Sequence, residues 1–228
     1  MALAPGTIFF SGDSITVGAN CSGVGDYPNK TIELLNARDG SGWSGTRNGH
    51  GGYSTWDGAA VIDSDISGMG SVDYIFLYWG ANDAYPNDHL GDYTPLGAGD
   101  ETSWKAAYTY IIEACHTKWA NAHIWIGKSY RCNSLGAPDG FLTNYVFPWT
   151  DDLVSSFSYV SAGINGAEIL QAGYPESMGD PPHSVHPACY GHLLLAEGIR
   201  DEMFPLGGVK RHQLMTGGMQ ALSGGFNG

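Results

Sequence analysis

The sequence predicts an α/β domain of three layers, α/β/α, with a mostly parallel central sheet. Two observations predict it. Three short runs, GTIFFSG (6–12), VDYIFLYWGAND (72–83) and AHIWIGKSY (122–130), are apolar almost throughout, as strands buried on both faces are. They alternate with segments of helical spacing, and crossover helices of that kind cover both faces of a parallel sheet. No internal repeat or composition shift divides the 228 residues, and one α/β domain of about 200–250 residues is ordinary.

Taken in order, 6–12 reads as the first strand. YPNKTIELLNAR (27–38) reads as a helix through Ile32, Leu34 and Leu35, stopped by Arg38 before Asp39-Gly40. Residues 40–58 read as glycine-rich loop. The 72–83 run is the strongest strand, β-branched and aromatic, ending in the polar Gly80-Ala81-Asn82-Asp83. SWKAAYTYIIEACHTKWAN (103–121) is the clearest amphipathic helix, and 122–130 is the strand after it. TDDLVSSFSYVSAG (150–163) reads as a helix, and GHLLLAEGIRDEMF (191–204) as the last one. The domain is expected to run over 1–205. Residues 206–228, with TGG and SGGFNG, read as an extension that adds little core.

Composition narrows the function. Hydrophobic residues at 43% against 14% charged allow a sizeable core. A net charge of −13 repels phosphate backbones and anionic lipid, so neither nucleic acid nor a membrane surface is an expected partner. The longest apolar run, YIFLYWGA (74–81), is far short of the roughly 20 residues that span a bilayer. The opening MALAPGTIFF lacks the charged and apolar regions of a signal peptide. A soluble chain of open compartment is expected, and excision from a larger extracellular or virion protein fits equally. Cys21, Cys115, Cys132 and Cys189 show no C-x-x-C spacing, so no zinc site is expected. Two disulfides or four thiols are both open.

Ligands of open parallel sheets sit at the strands' carboxyl ends. Polar clusters fall there: Gly12-Asp13-Ser14, Gly51-Gly52 and Gly80-Ala81-Asn82-Asp83, with DPPHSVHPACYGH (180–192) ahead of the last helix. Ser14 is a candidate nucleophile, since a hydroxyl needs an adjacent base and histidine's near-neutral pKa suits that task. Acyl transfer also needs donors where negative charge develops on the carbonyl oxygen. Backbone N–H groups at Ser14 and Gly52 and the amide of Asn82 are candidates for that hole. Each residue alone has a simpler reading: an N-cap, two turn residues, a surface histidine.

The ordered set GDSIT, NGHGGYST (48–55), GAND and HSVHPACYGH resembles the SGNH hydrolases, the GDSL-like lipases and esterases, from about residue 6 to 204. The resemblance implies a flavodoxin-like three-layer fold, no cofactor, Ser14 as nucleophile, Gly52 and Asn82 in the oxyanion hole, and His186 as base. GDSIT is also not the G-x-S-x-G elbow of the other large serine-hydrolase fold. The chain departs from the family's D-x-x-H, because His183 stands where the aspartate belongs. Asp180 is the preferred triad acid, a backbone carbonyl is the alternative, and a register with His183 as base ranks below both. No HExxH accompanies His183, His186 and His192, so no metal is expected.

Asp13 reads as fixing the turn. With Tyr53, Trp56, Tyr85 and His183 it also makes up the candidate substrate contacts. Phe147 and Trp149 add aromatic faces suited to sugar stacking, against the plainer reading of core aromatics. The resulting expectation is a serine esterase removing acetyl or other short acyl groups from carbohydrate. A non-catalytic carbohydrate-binding module and a short-chain lipase or thioesterase are the alternatives. A glycosidase is disfavoured because no carboxylate pair stands out.

Overall fold

A computed structural model describes residues 3–21, 25–83, 100–131, 140–173, 177–178 and 186–206. Within them, β1 (Thr7–Gly12), β2 (Ser44–Gly49), β3 (Tyr74–Tyr78), β4 (His123–Lys128) and β5 (Val160–Asn165) form one parallel sheet in the order β2-β1-β3-β4-β5. That is the flavodoxin-like strand order, with the chain reversing direction across the sheet beside β1. Helices α2 (Tyr27–Asp39), α6 (Gly166–Ala172) and α7 (Cys189–Gly198) pack together on one face. Helices α3 (Thr55–Ile66), α4 (Glu101–Lys118) and α5 (Phe147–Ser156) pack on the other. The three-layer expectation holds.

The apolar strands lie where burial on both faces requires. Every residue of β3 is buried, as are Ile8 to Gly12 of β1. Large rings from β3 need room, and glycine supplies it. A Cβ at Gly127 of β4 would stand 2.7 Å from the rings of both Phe76 and Tyr78. A tie between α2 and the chain beyond α7 closes the fold: Arg38, in the last turn of α2, donates to the carbonyl of Phe204 at 2.6 Å. Phe204 itself is buried against Trp43, Tyr74 and Trp125.

Three assignments change. Residues 40–58 are not simply loop, because they contain β2 and the start of α3. Strand β2, SGTRNG, carries almost no apolar side chain and is largely exposed. It forms because its backbone pairs with β1 from Thr7–Ser44 to Gly12–Gly49, and because α2 packs on it closely, with Ile32 against Gly45. Helix α3 begins with a capping box. Asp57 N donates to Ser54 Oγ at 3.3 Å and Ser54 N donates to Asp57 Oδ2 at 2.9 Å. The stretch 150–163 divides into the end of α5 and the start of β5. The small residues of β5 let it lie close to β4, where a Cβ at Gly163 would meet Gly127 N at 3.1 Å.

Candidate active site

The turn after β1 has room for no side chain at its first residue. A Cβ at Gly12 would stand 2.3 Å from Thr16 Oγ1 and 2.4 Å from the Tyr78 carbonyl. Asp13 follows in extended conformation and caps the short helix α1 (Ser14–Val17), accepting from Ile15 N at 2.9 Å. Its other oxygen accepts from Ala81 N at 3.2 Å, which ties the Ser14 turn to the end of β3. Asp13 is fully buried with both oxygens engaged, so it fixes the turn and offers nothing to a substrate. Burial pushes its carboxyl up to about 7, against the two N–H donors and the Arg131 charge that favour the anion. Its contribution to folding stability is therefore full below the ordinary carboxylate value of 3.8 and is lost as pH rises through about 7.

Ser14 is the first residue of α1 and is 6% exposed. His186 Nε2 lies 2.8 Å from Ser14 Oγ across 172 residues of sequence. In the neutral imidazole with its proton on Nδ1, the serine O–H donates to Nε2, which is the starting geometry for base-assisted attack. Burial and the Arg131 charge both lower the His186 pKa from 6.5, favouring that neutral form.

Three ties hold the His186 segment in place, one to residues 177–178 and two to the chain that follows Ser14. Pro187 forms an antiparallel bridge with Met178, and Ala188 N donates to the Ser177 carbonyl at 2.9 Å. Cys189 is bonded to Cys21, closing a loop of 168 residues between the segment after α1 and the first turn of α7. In the chain-entropy treatment such a cross-link is worth roughly 5 kcal/mol. His192 Nδ1 accepts from Tyr27 N at 3.2 Å and its Nε2–H donates to the Ala19 carbonyl at 3.2 Å. Fully buried and stacked on Tyr27, His192 has both ring nitrogens occupied and is a structural residue. The open cysteine question resolves to that one bridge and a buried Cys115 thiol, pushed up to about 12 by burial, while Cys132 lies outside the described residues.

The glycine-rich block runs off the end of β2 as a turn, His50 to Tyr53, with Tyr53 N donating to the His50 carbonyl at 3.3 Å. Gly52 has φ of +80° and open space where a Cβ would lie, so backbone conformation and not crowding calls for glycine. Asn82 is 6% exposed, and its Nδ2 donates to the Tyr53 carbonyl at 3.0 Å. One amide N–H thus braces the turn and the second remains for a ligand oxygen. For Asn82 in the oxyanion role expected from the sequence, replacement by alanine is expected to lower kcat on an aryl acetate by about 10²–10³-fold with KM nearly unchanged, the pattern of a donor used mainly in the transition state. Steady-state kinetics check it, and a change confined to KM would assign Asn82 to substrate binding instead.

Asp83 is a structural residue that its place in GAND does not disclose. Fully buried, it accepts from Thr55 N at 2.7 Å, Thr55 Oγ1 at 2.6 Å and Trp104 Nε1 at 2.6 Å, pinning the turn after β3 to α3 and α4. Burial raises its carboxyl and those hydrogen bonds oppose the rise. Asp13 and Asp83 are thus a carboxylate pair at the strand ends, but both are committed to the scaffold. Tyr53 is half-buried and stacks on His50 at 4.9 Å, and Trp56 is half-buried against the core. Phe147 and Trp149 lie in α5 and are buried, Trp149 among Trp104, Phe141 and Tyr145, so the core reading replaces sugar stacking for both. Asp180, His183 and Tyr85 lie outside the described residues.

No protein-family model and no curated protein matches the chain. Solved structures do match. A member of the lipolytic G-D-S-L family from Veillonella parvula is 22% identical with a TM-score of 0.60, over 84% of this chain and 94% of that one. A carbohydrate acetylesterase family member from Sinorhizobium meliloti is 17% identical with a TM-score of 0.62, over 87% and 98%. An acetyl xylan esterase is 18% identical with a TM-score of 0.65, over 84% and 96%. The chain has the fold of the SGNH hydrolases.

Proposed function

With that fold as premise, we propose that the chain is a carboxylic-ester hydrolase working through Ser14 and His186, and that it removes short acyl groups, acetyl above all, from carbohydrate. The observation that carries the chemistry is the 2.8 Å approach of His186 Nε2 to Ser14 Oγ. His186 takes the hydroxyl proton as Oγ attacks the ester carbonyl. The resulting oxyanion is met by the N–H groups of Ser14 and Gly52 and the second N–H of Asn82. His186 then protonates the departing alcohol, and water repeats the sequence on the acyl-enzyme. Asp180, six residues before the base, is the proposed orienter of its imidazole. No metal or other cofactor enters this route.

What supports acetyl as the acyl group is that architectures of this kind serve a carbohydrate acetylesterase family member and an acetyl xylan esterase. Phe147 and Trp149, suited by type to sugar stacking, are spent in the core and add nothing to that reading. The test compares kcat/KM for 4-nitrophenyl acetate, butyrate and octanoate, together with acetate release from acetylated xylan. Acetate is expected to exceed octanoate by at least tenfold, with measurable release from the glycan. Octanoate turning over faster than acetate would contradict the short-acyl reading. Among the described residues no helix is long and apolar enough to cross a membrane.

A further inference from the structure

The Gly51-Gly52 step of the proposed oxyanion hole has no side chain of its own to hold it. Glycine loses the most conformational freedom on ordering, and no side chain of the pair contributes packing. The turn's own hydrogen bond, Tyr53 N to the His50 carbonyl, is long at 3.3 Å. Something else must hold the Gly52 N–H in place, and His50 is anchored on every side. Its backbone N donates to the Gly12 carbonyl at 2.9 Å, just ahead of Asp13 and Ser14. Its ring Nε2–H donates to Asp65 Oδ2 on α3 at 2.8 Å. Its ring stacks on Tyr53 at 4.9 Å and 18°, and runs nearly parallel to Trp79 at 6.2 Å and 16°. Tyr53 in turn offers its carbonyl to Asn82 Nδ2.

We propose that His50, clamped by Asp65, is a positioning residue that holds the oxyanion turn, fixing Gly52 directly and Asn82 through Tyr53. The inference rests on the esterase reading. His50 takes no proton in this account, since the base that touches Ser14 is His186. The His50–Asp65 contact is part-buried, and losing one hydrogen-bond partner there costs about 1–3 kcal/mol, less than the roughly 5–15 kcal/mol that holds a domain folded, so losing Asp65 should leave the fold standing. Asp65 also lies in the last turn of α3, where the helix dipole disfavours an anion, and the helix loses nothing by its removal. Displacing an oxyanion donor by a fraction of an ångström costs catalysis far more than it costs folding.

The experiment measures kcat and KM on 4-nitrophenyl acetate, and the rate of fluorophosphonate labelling at Ser14, in the parent, Asp65→Ala, His50→Ala, the double variant and Asp65→Asn. Both single alanine variants are expected to lose at least tenfold in kcat with KM within twofold, and labelling should slow in parallel. The double variant should be no worse than the poorer single one, because the two residues act as one device. Asp65→Asn keeps an acceptor for the His50 N–H and should recover to within about threefold of the parent. If His50→Ala does not fold, Asp65→Ala and its recovery by Asp65→Asn decide alone. The proposal is overturned if Asp65→Ala stays within twofold of the parent, if the loss appears only in KM, or if Asp65→Asn is as impaired as Asp65→Ala. A parent that is inactive and unlabelled overturns the esterase reading, and this inference with it. An active parent with unaffected variants overturns this inference only.

Discussion

Ser14→Ala is expected to cut ester hydrolysis to less than about a hundredth of the parent rate while leaving the melting temperature within a few degrees. The size of the loss follows from the role proposed. Without Oγ no acyl-enzyme forms, and only binding and the oxyanion donors remain to favour attack by water, a residual that triad variants of other hydrolases also show. The small effect on folding follows from position. The hydroxyl's partner is the half-buried His186, and the turn itself is held by Gly12, by Asp13 bonding Ile15 N and Ala81 N, and by Gly18 closing α1. Activity measured beside thermal unfolding checks both halves. A variant that keeps a tenth of the activity would mean that another group attacks the ester.

His186→Ala is expected to be nearly as severe, because an unassisted serine hydroxyl is a poor nucleophile near neutral pH. The remaining His186 segment keeps its bridge to Met178, its disulfide to Cys21 and the buried His192, so the variant should fold. The pH dependence has a definite sign. Only neutral imidazole accepts the serine proton, so kcat/KM should rise with pH through the His186 pKa. Burial and Arg131 place that pKa below 6.5, so the midpoint of the ascending limb should also fall below 6.5. The limb should vanish from whatever activity His186→Ala retains. A limb that survives the substitution would assign it to another group, and a midpoint above 6.5 would mean that a carboxylate such as Asp180 outweighs burial and Arg131.

What was legible in the sequence follows the physics of each element. Strands β1, β3 and β4 are apolar because helices cover both their faces, and periodicity finds such runs. Strand β2 is polar, and only its hydrogen bonds to β1 make it a strand, which no side-chain pattern reports. Helix α3 did leave a signal, the Ser54-x-x-Asp57 capping box, hidden inside a stretch dominated by glycine. Strand β5 is small-residue and follows α5 closely, so its VSAG read as the end of a helix. At the site, Ser14, Gly52, Asn82 and His186 stood out by order and residue type, and the fold brings Ser14 and His186 into contact. The supporting residues stayed invisible. Asp83, His192 and the His50–Asp65 pair act through partners 15 to 173 residues away, a distance that no local motif spans.

A nucleophilic Ser14 activated by His186 can be trapped covalently. The protein is treated with a fluorophosphonate, its intact mass is measured, and the modified peptide is mapped. One adduct per chain is expected, located on Ser14, absent from Ser14→Ala and formed far more slowly by His186→Ala. An adduct mapped to any other residue, or no adduct on a folded parent chain, would contradict it.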